Sequence, residues 1–227
     1  MRRWRTVGAV LVAALVASVA TSAALAVTLP SVLFLPGKTS AMAKATSGST
    51  SSLETIVGSK LTSKGLEVSL TATTAGSASG TYVTLFKEVA EGTNKCKTGT
   101  LAAGNVEIKG EFRLVPLSET PLEMGVLFLV PPTTIACGTI MKPEKVKIKV
   151  EGSALSSFTG TLNSEIKEFS GTLLGTKGKP SKTAYLNGAG ETLNASLKAN
   201  FGFGLEECAE NVAEPLKFTS EGLTIDE

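Results

Sequence analysis

From Leu53 onward the chain alternates apolar and polar positions with a period of two. In "LEVSLTAT" Leu66, Val68, Leu70 and Ala72 fall on one face, and in "KVKIKVEG" Val146, Ile148 and Val150 face away from a row of lysines. "TYVTLFKEV", "NVEIKGEFRLV", "ETLNASLKA" and "LKFTSEGLTI" repeat the alternation. A period of two sends successive side chains to opposite faces of a pleated backbone, so each run is predicted as a strand. Glycines and prolines separate the runs, and Asn187-Gly188, between "KTAYL" and "ETLNASL", is a hairpin signal. No helical stripe runs longer than about three turns. The one short helix expected lies around Leu205 to Ala213. The fold class predicted is all-β, an antiparallel β-sandwich or barrel of roughly ten to twelve strands after an N-terminal signal helix.

Three stretches depart from this rhythm. The chain opens with Arg2, Arg3 and Arg5, an apolar run from Val7 to Ala20 and the small-residue site Ala24-Leu25-Ala26. These are the three parts of a secretory signal peptide, so residues 1–26 are expected to be removed and the protein secreted, the alternative being anchorage by an uncleaved N-terminal segment. Next, "VTLPSVLFLPG" reads as a short N-terminal strand, and "KTSAMAKATSGSTSS", rich in Ser, Thr and Ala, as a linker, giving a 27–52 segment. Residues 53–227 then form the β domain, with a break near 152–160 that would divide two subdomains. Finally, "MGVLFLVPPTTIACG", Met124 to Gly138, is the most apolar run outside the leader. Its apolar part is too short for a membrane helix, which needs about 20 residues. It reads as a strand buried on both faces and stopped by Pro131-Pro132, with "TTIACG" as its neighbour after a turn.

The signal changes the meaning of the charge. The whole chain carries 22 basic and 20 acidic residues; without the three leader arginines 19 basic groups remain, and the net charge moves from +2 to −1. Arg113 is then the sole arginine, so the footprint of a nucleic-acid binder is missing.

The missing residue types narrow the chemistry. The chain has no histidine, and its one aspartate is Asp226. Ser-His-Asp and Cys-His sites lack their base, imidazole zinc sites and EF-hand loops lack their ligands, and a paired-aspartate site cannot be assembled. Two catalytic routes survive: a pair among the glutamates, and a serine-lysine dyad at Ser164 and Lys167 in "SEIK". The second sits in a strand-like context that would send the two side chains apart, and "KTG" at Lys97 to Gly99 precedes it in the wrong order. "PGKTS", Pro36 to Ser40, has Val32 where a phosphate loop needs glycine. No catalytic, metal or cofactor residue is therefore assigned, and no cofactor is expected.

Three cysteines allow three single-bridge pairings. Cys208 lies among Glu206, Glu207 and Glu210, which disfavour its thiolate, so the bridge expected is Cys96–Cys137 with Cys208 a free thiol. Closing that loop would stabilise by about 4 kcal/mol.

The runs "KCKTGTLAAGNVEIKGEFRLV", "PLEMGVLFLVPPTTIACG", "KVKIKVEGSAL" and "KGKPSKTAYLNGAGETLNASLKANFGFGLEE" resemble a group of secreted, β-rich proteins of unknown function, present in many copies in soil actinobacteria of the Solirubrobacter type. The resemblance spans the chain from about Lys60 and includes cysteines at the places of Cys96 and Cys137. It implies secretion and β architecture, and it carries no activity. The function expected is a secreted, non-enzymatic extracellular or cell-surface β module whose partner is an extracellular protein or envelope component. It would touch no nucleic acid and meet a membrane only through its signal segment. The alternatives are a carrier of a small apolar ligand and a hydrolase using glutamates or the serine-lysine dyad.

Overall fold

The computed structural model describes residues 30–34, 37–119, 122–139, 141–142, 144–160, 165–221 and 223–226, so the expected signal segment and Ser164 lie outside the described residues. The described residues contain no helix. Strands β1 (Ser31–Phe34), β2 (Ala41–Ser47), β3 (Ser51–Thr55), β4 (Lys60–Ser63), β5 (Gly65–Ala72) and β6 (Ser79–Lys87) come first. They are followed by β7 (Ala90–Glu91), β8 (Asn94–Thr98), β9 (Val106–Glu119), β10 (Leu122–Gly138), β11 (Val146–Thr159) and β12 (Glu168–Thr172). The remainder are β13 (Gly175–Thr176), β14 (Lys179–Pro180), β15 (Ala184–Leu186), β16 (Thr192–Asn194), β17 (Leu197–Asn200), β18 (Glu206–Val212), β19 (Leu216–Glu221) and β20 (Leu223–Asp226). That is twenty strands among the described residues, more than the ten to twelve predicted.

Fourteen strands close into one antiparallel ring, and β10 and β11 also pair with each other across it. The cross-pairing divides the ring into two of eight strands each. The first ring holds β2, β5, β6, β9, β10, β11, β12 and β19. The second holds β3, β4, β7, β8, β10, β11, β17 and β18. The front half of β10 pairs with β9 at Leu122–Leu129, and its back half with β8 at Ile135–Gly138. Each ring draws strands from both halves of the chain, and β11 spans Val146–Thr159.

The predicted alternation fills these rings. Leu66, Val68, Leu70 and Ala72 of β5 are all buried in the first core. Phe169 and Phe218 face each other across β12 and β19 and stack at 4.6 Å, with Phe158 at 4.9 Å from Phe169. Val32 and Ile225, paired between β1 and β20, add to the same core. The second core is smaller, around Ile135, Ile148, Val150, Leu197 and the Cys96–Cys137 bridge.

Three sequence readings are corrected. The supposed linker is β2 and β3: Ala41, Ala43 and Ala45 point into the first core, and Ala45 lies opposite Phe218. Small inward residues leave room for the phenylalanine stack, which is how a narrow barrel is filled. The supposed helix around Leu205 to Ala213 is β18, with Cys208 and Val212 buried on one face. Pro131-Pro132 does not stop its strand. The register against β11 shifts between Val130 and Thr133, and this bulge takes up two residues that cannot donate to a ladder. Burial on both faces does hold: Met124, Val126 and Phe128 enter the first core, while Leu127 packs outward with Leu155, Val115 and Ala195.

Candidate functional site

Most charged side chains lie on the outer strand faces, as alternation requires. Among the described residues seven Lys–Glu ion pairs join exposed lysines to exposed or half-buried glutamates, among them Lys64–Glu88 at 3.3 Å, Lys149–Glu151 at 2.9 Å and Lys182–Glu123 at 3.0 Å. Lys167 belongs to this set: its side chain is 77% exposed and lies 3.9 Å from Glu165. A base for Ser164 would need a desolvated amine, and Lys167 is not one. Lys97, from the "KTG" match, sits in β8 opposite Ala136. The open surface cleft of about 410 Å³ beside Phe158 contains Glu123 and Lys182, which neutralise each other.

Glu210 is the exception. On β18 the residues Cys208, Glu210 and Val212 share the inward face; Cys208 belongs to the second core and Val212 to the first, so Glu210 stands at the waist between them. It lines three small hollows, of about 60, 40 and 20 Å³. The largest lies in the second ring, walled by Leu61, Val89, Val106, Ile135, Val150 and Leu197. The next reaches into the first ring toward Tyr82, Phe128 and Leu216, and Phe86, Ile108 and Val130 border both. Glu210 is the sole carboxylate among the residues lining the three.

The surroundings set the acidity of this group. Glu210 keeps part of its surface, but that surface borders apolar hollows and protein packs around the carboxyl. Burial disfavours the charged form and pushes the carboxyl up to about 7. Cys208 is pushed up to about 12, first by burial and then by the Glu210 charge. Tyr82 is raised by the same two causes in the same order; its ring meets Phe128 edge-on at 5.0 Å and its hydroxyl donates to the Leu129 carbonyl at 3.4 Å.

The predicted cysteine arrangement is present. Cys96 and Cys137 are directly opposed in the β8–β10 register and bonded, and Cys208 is free and buried. Glu210 was not singled out as a site residue in the sequence. The signal that finds it is the alternation of "ECAENV": once Cys208 and Val212 are taken as inward, Glu210 must follow them. Among the described residues no cluster of three His, Cys, Asp or Glu side chains could hold a metal ion. No family model, no curated protein and no solved structure matches this chain.

Proposed function

We propose that this protein is a non-enzymatic extracellular or cell-surface module, in which a rigid double barrel presents loops to a partner. The observation that carries the reading is how its ionisable groups are placed. Catalysis by glutamates needs two carboxyls converging on one substrate atom, and the dyad route needs a desolvated lysine beside its serine. The hollows offer one carboxyl, Glu210, and Lys167 lies in solvent. Secretion, expected from the leader, agrees with a disulfide between strands, because such bridges persist in oxidising compartments.

The carrier is the second reading, favoured by the apolar lining around Glu210. Ligand pockets of several hundred Å³ are the rule, however, and the largest of these hollows, about 60 Å³, has room for a few waters. Native mass spectrometry of the purified protein separates the two: the bare chain mass supports the module, and a reproducible bound lipid or metabolite establishes the carrier. Turnover of a glycoside, ester or peptide that disappears in Glu210→Gln or Lys167→Ala would refute the non-enzymatic reading.

A further inference from the structure

The eight strands of the second ring are joined in pairs by four hairpin loops, and the registers place all four loops at one end. These are residues 56–59 between β3 and β4, 92–93 between β7 and β8, the connection between β10 and β11 that includes Thr139, Met141, Lys142, Glu144 and Lys145, and 201–205 between β17 and β18. Thr55 opposite Cys208, Lys95 opposite Gly138 and Asn200 opposite Lys149 fix this common end. On three neighbouring loops large apolar side chains stand in solvent. Phe203 is 85% exposed and Met141 90%, with Ile56, Val57 and Leu205 each about half exposed or more. Five of the eight exposed large hydrophobics among the described residues are gathered here.

The loops are built to hold these side chains out. Asn200 Oδ1 accepts from the backbone N–H of Gly202 at 2.7 Å and of Gly204 at 3.2 Å. Both glycines have positive φ, so the turn leaves Phe203 at its apex. Thr55 Oγ1 accepts from the Ser59 N–H at 3.1 Å, while Ile56 N–H donates to the Glu207 carbonyl at 3.2 Å, tying one loop to the next. Thr139 Oγ1 accepts from the Lys142 N–H at 3.2 Å behind Met141. Turns fastened this way around exposed apolar residues mark an interaction surface.

We propose that this end of the second ring is a membrane-docking tip, which sets Phe203, Met141 and their neighbours into the headgroup boundary of an anionic bilayer. The inference rests on the module reading and names its partner, adding a membrane contact that does not depend on the signal segment. Two features favour lipid. The apolar groups stand on separate apices instead of forming one groove, and a bilayer admits such wedges without a complementary shape. Behind them, the strand ends and turns of this tip, with the β13–β14 turn whose Gly178 packs against the Thr55 and Ile56 backbone (residues 54–60, 91–95, 138–147, 177–179 and 200–207), carry seven lysines and five glutamates. Lysines at that level reach lipid phosphates while their stems follow the apolar side chains. The same excess of positive charge opposes the tip of a second copy.

The test uses the full chain carrying Phe203→Trp, with the unsubstituted chain's emission subtracted to remove Trp4. Vesicles of phosphatidylcholine alone and of phosphatidylcholine with phosphatidylserine are added. On the anionic vesicles the indole emission should shift to the blue and become shielded from an aqueous quencher. Lys142→Glu with Lys145→Glu should weaken that response by about tenfold or more, since each lysine near an anionic surface counts for about one factor of five. An unshifted emission on vesicle-bound protein overturns the proposal, even if residues 1–26 hold the chain to the lipid. So does a shift that follows protein concentration without vesicles, which would make the tip a self-association surface. A negative vesicle result without turnover leaves the module with another partner, whereas Glu210-dependent turnover refutes the module itself.

Discussion

Glu210 shows how one position can set a pH response. An acid whose folded pKa lies above its unfolded value favours the protonated chain, so its stabilising protonation is complete below the ordinary carboxylate range. That contribution is lost as pH rises through the window between about 4.5 and about 7. The interval corresponds to about 3 kcal/mol. Urea unfolding across a pH series should show the parent chain losing about that much over the window, with Glu210→Gln flat and more stable at pH about 8. A parallel slope in Glu210→Gln would place the titration elsewhere; Cys208 and Tyr82, the two groups its charge acts on, titrate far above this window. Burial also predicts that Cys208 resists thiol reagents until the protein unfolds, a comparison that a maleimide mass shift in native and denaturing buffer makes directly. The sequence made the acidic surroundings of Cys208 visible but not which glutamate matters. Glu207 is exposed on the opposite face, and only the strand assignment singles out Glu210.

At the scale of elements, Gly152 and the Pro131-Pro132 bulge lie where β10 and β11 pass from one ring to the other. β11 pairs with β17 through Gly152 and with β12 from Ser157, and Gly152 takes φ +119°. A Cβ there would lie 2.2 Å from the Ser196 carbonyl oxygen, which is backbone and cannot yield cheaply. Gly152→Ala should therefore cost about 2–4 kcal/mol, through strained φ and displacement of β16 to β17. A thermal shift of a degree or less would show that the strand rearranges freely at this point. Leu127→Lys should do more harm, burying an unpaired charge among Leu155, Val115 and Ala195; a soluble variant with native near-ultraviolet dichroism would refute that packing. Strands with large alternating residues, such as β5 and the start of β11, were legible in sequence. β2 was not, because its inward residues are alanines and its period is carried by small side chains. The proline pair misled for a related reason: its missing donors argue against regular pairing, and a bulge supplies irregular pairing inside a continuous strand.

On the scale of the whole molecule, two rings that share two strands cannot be separated without breaking both. β10 and β11 contribute buried side chains to each core, Phe128 and Phe158 to the first and Ile135 and Ile148 to the second. This sharing was invisible in a one-dimensional pattern, because it depends on β10 and β11 changing outer partners partway along. The bridge lies on one side of the system, tying β8 to β10 across a sequence separation of 41 residues. Its removal, in Cys96→Ala with Cys137→Ala, should cost about 4 kcal/mol on the chain-entropy estimate. The more telling result is where the loss is felt. Were the rings independent, the first would keep its midpoint while the second melted early. With shared strands the whole molecule should unfold in one transition, shifted together. Urea unfolding followed by thiol labelling of Cys208 in the second core and, in a Tyr185→Phe background, by Tyr82 fluorescence in the first should give coincident curves with and without the bridge. Curves that separate when the bridge is removed would show that β10 and β11 can leave one ring while holding the other, and that the waist around Glu210 is a hinge between two folding units.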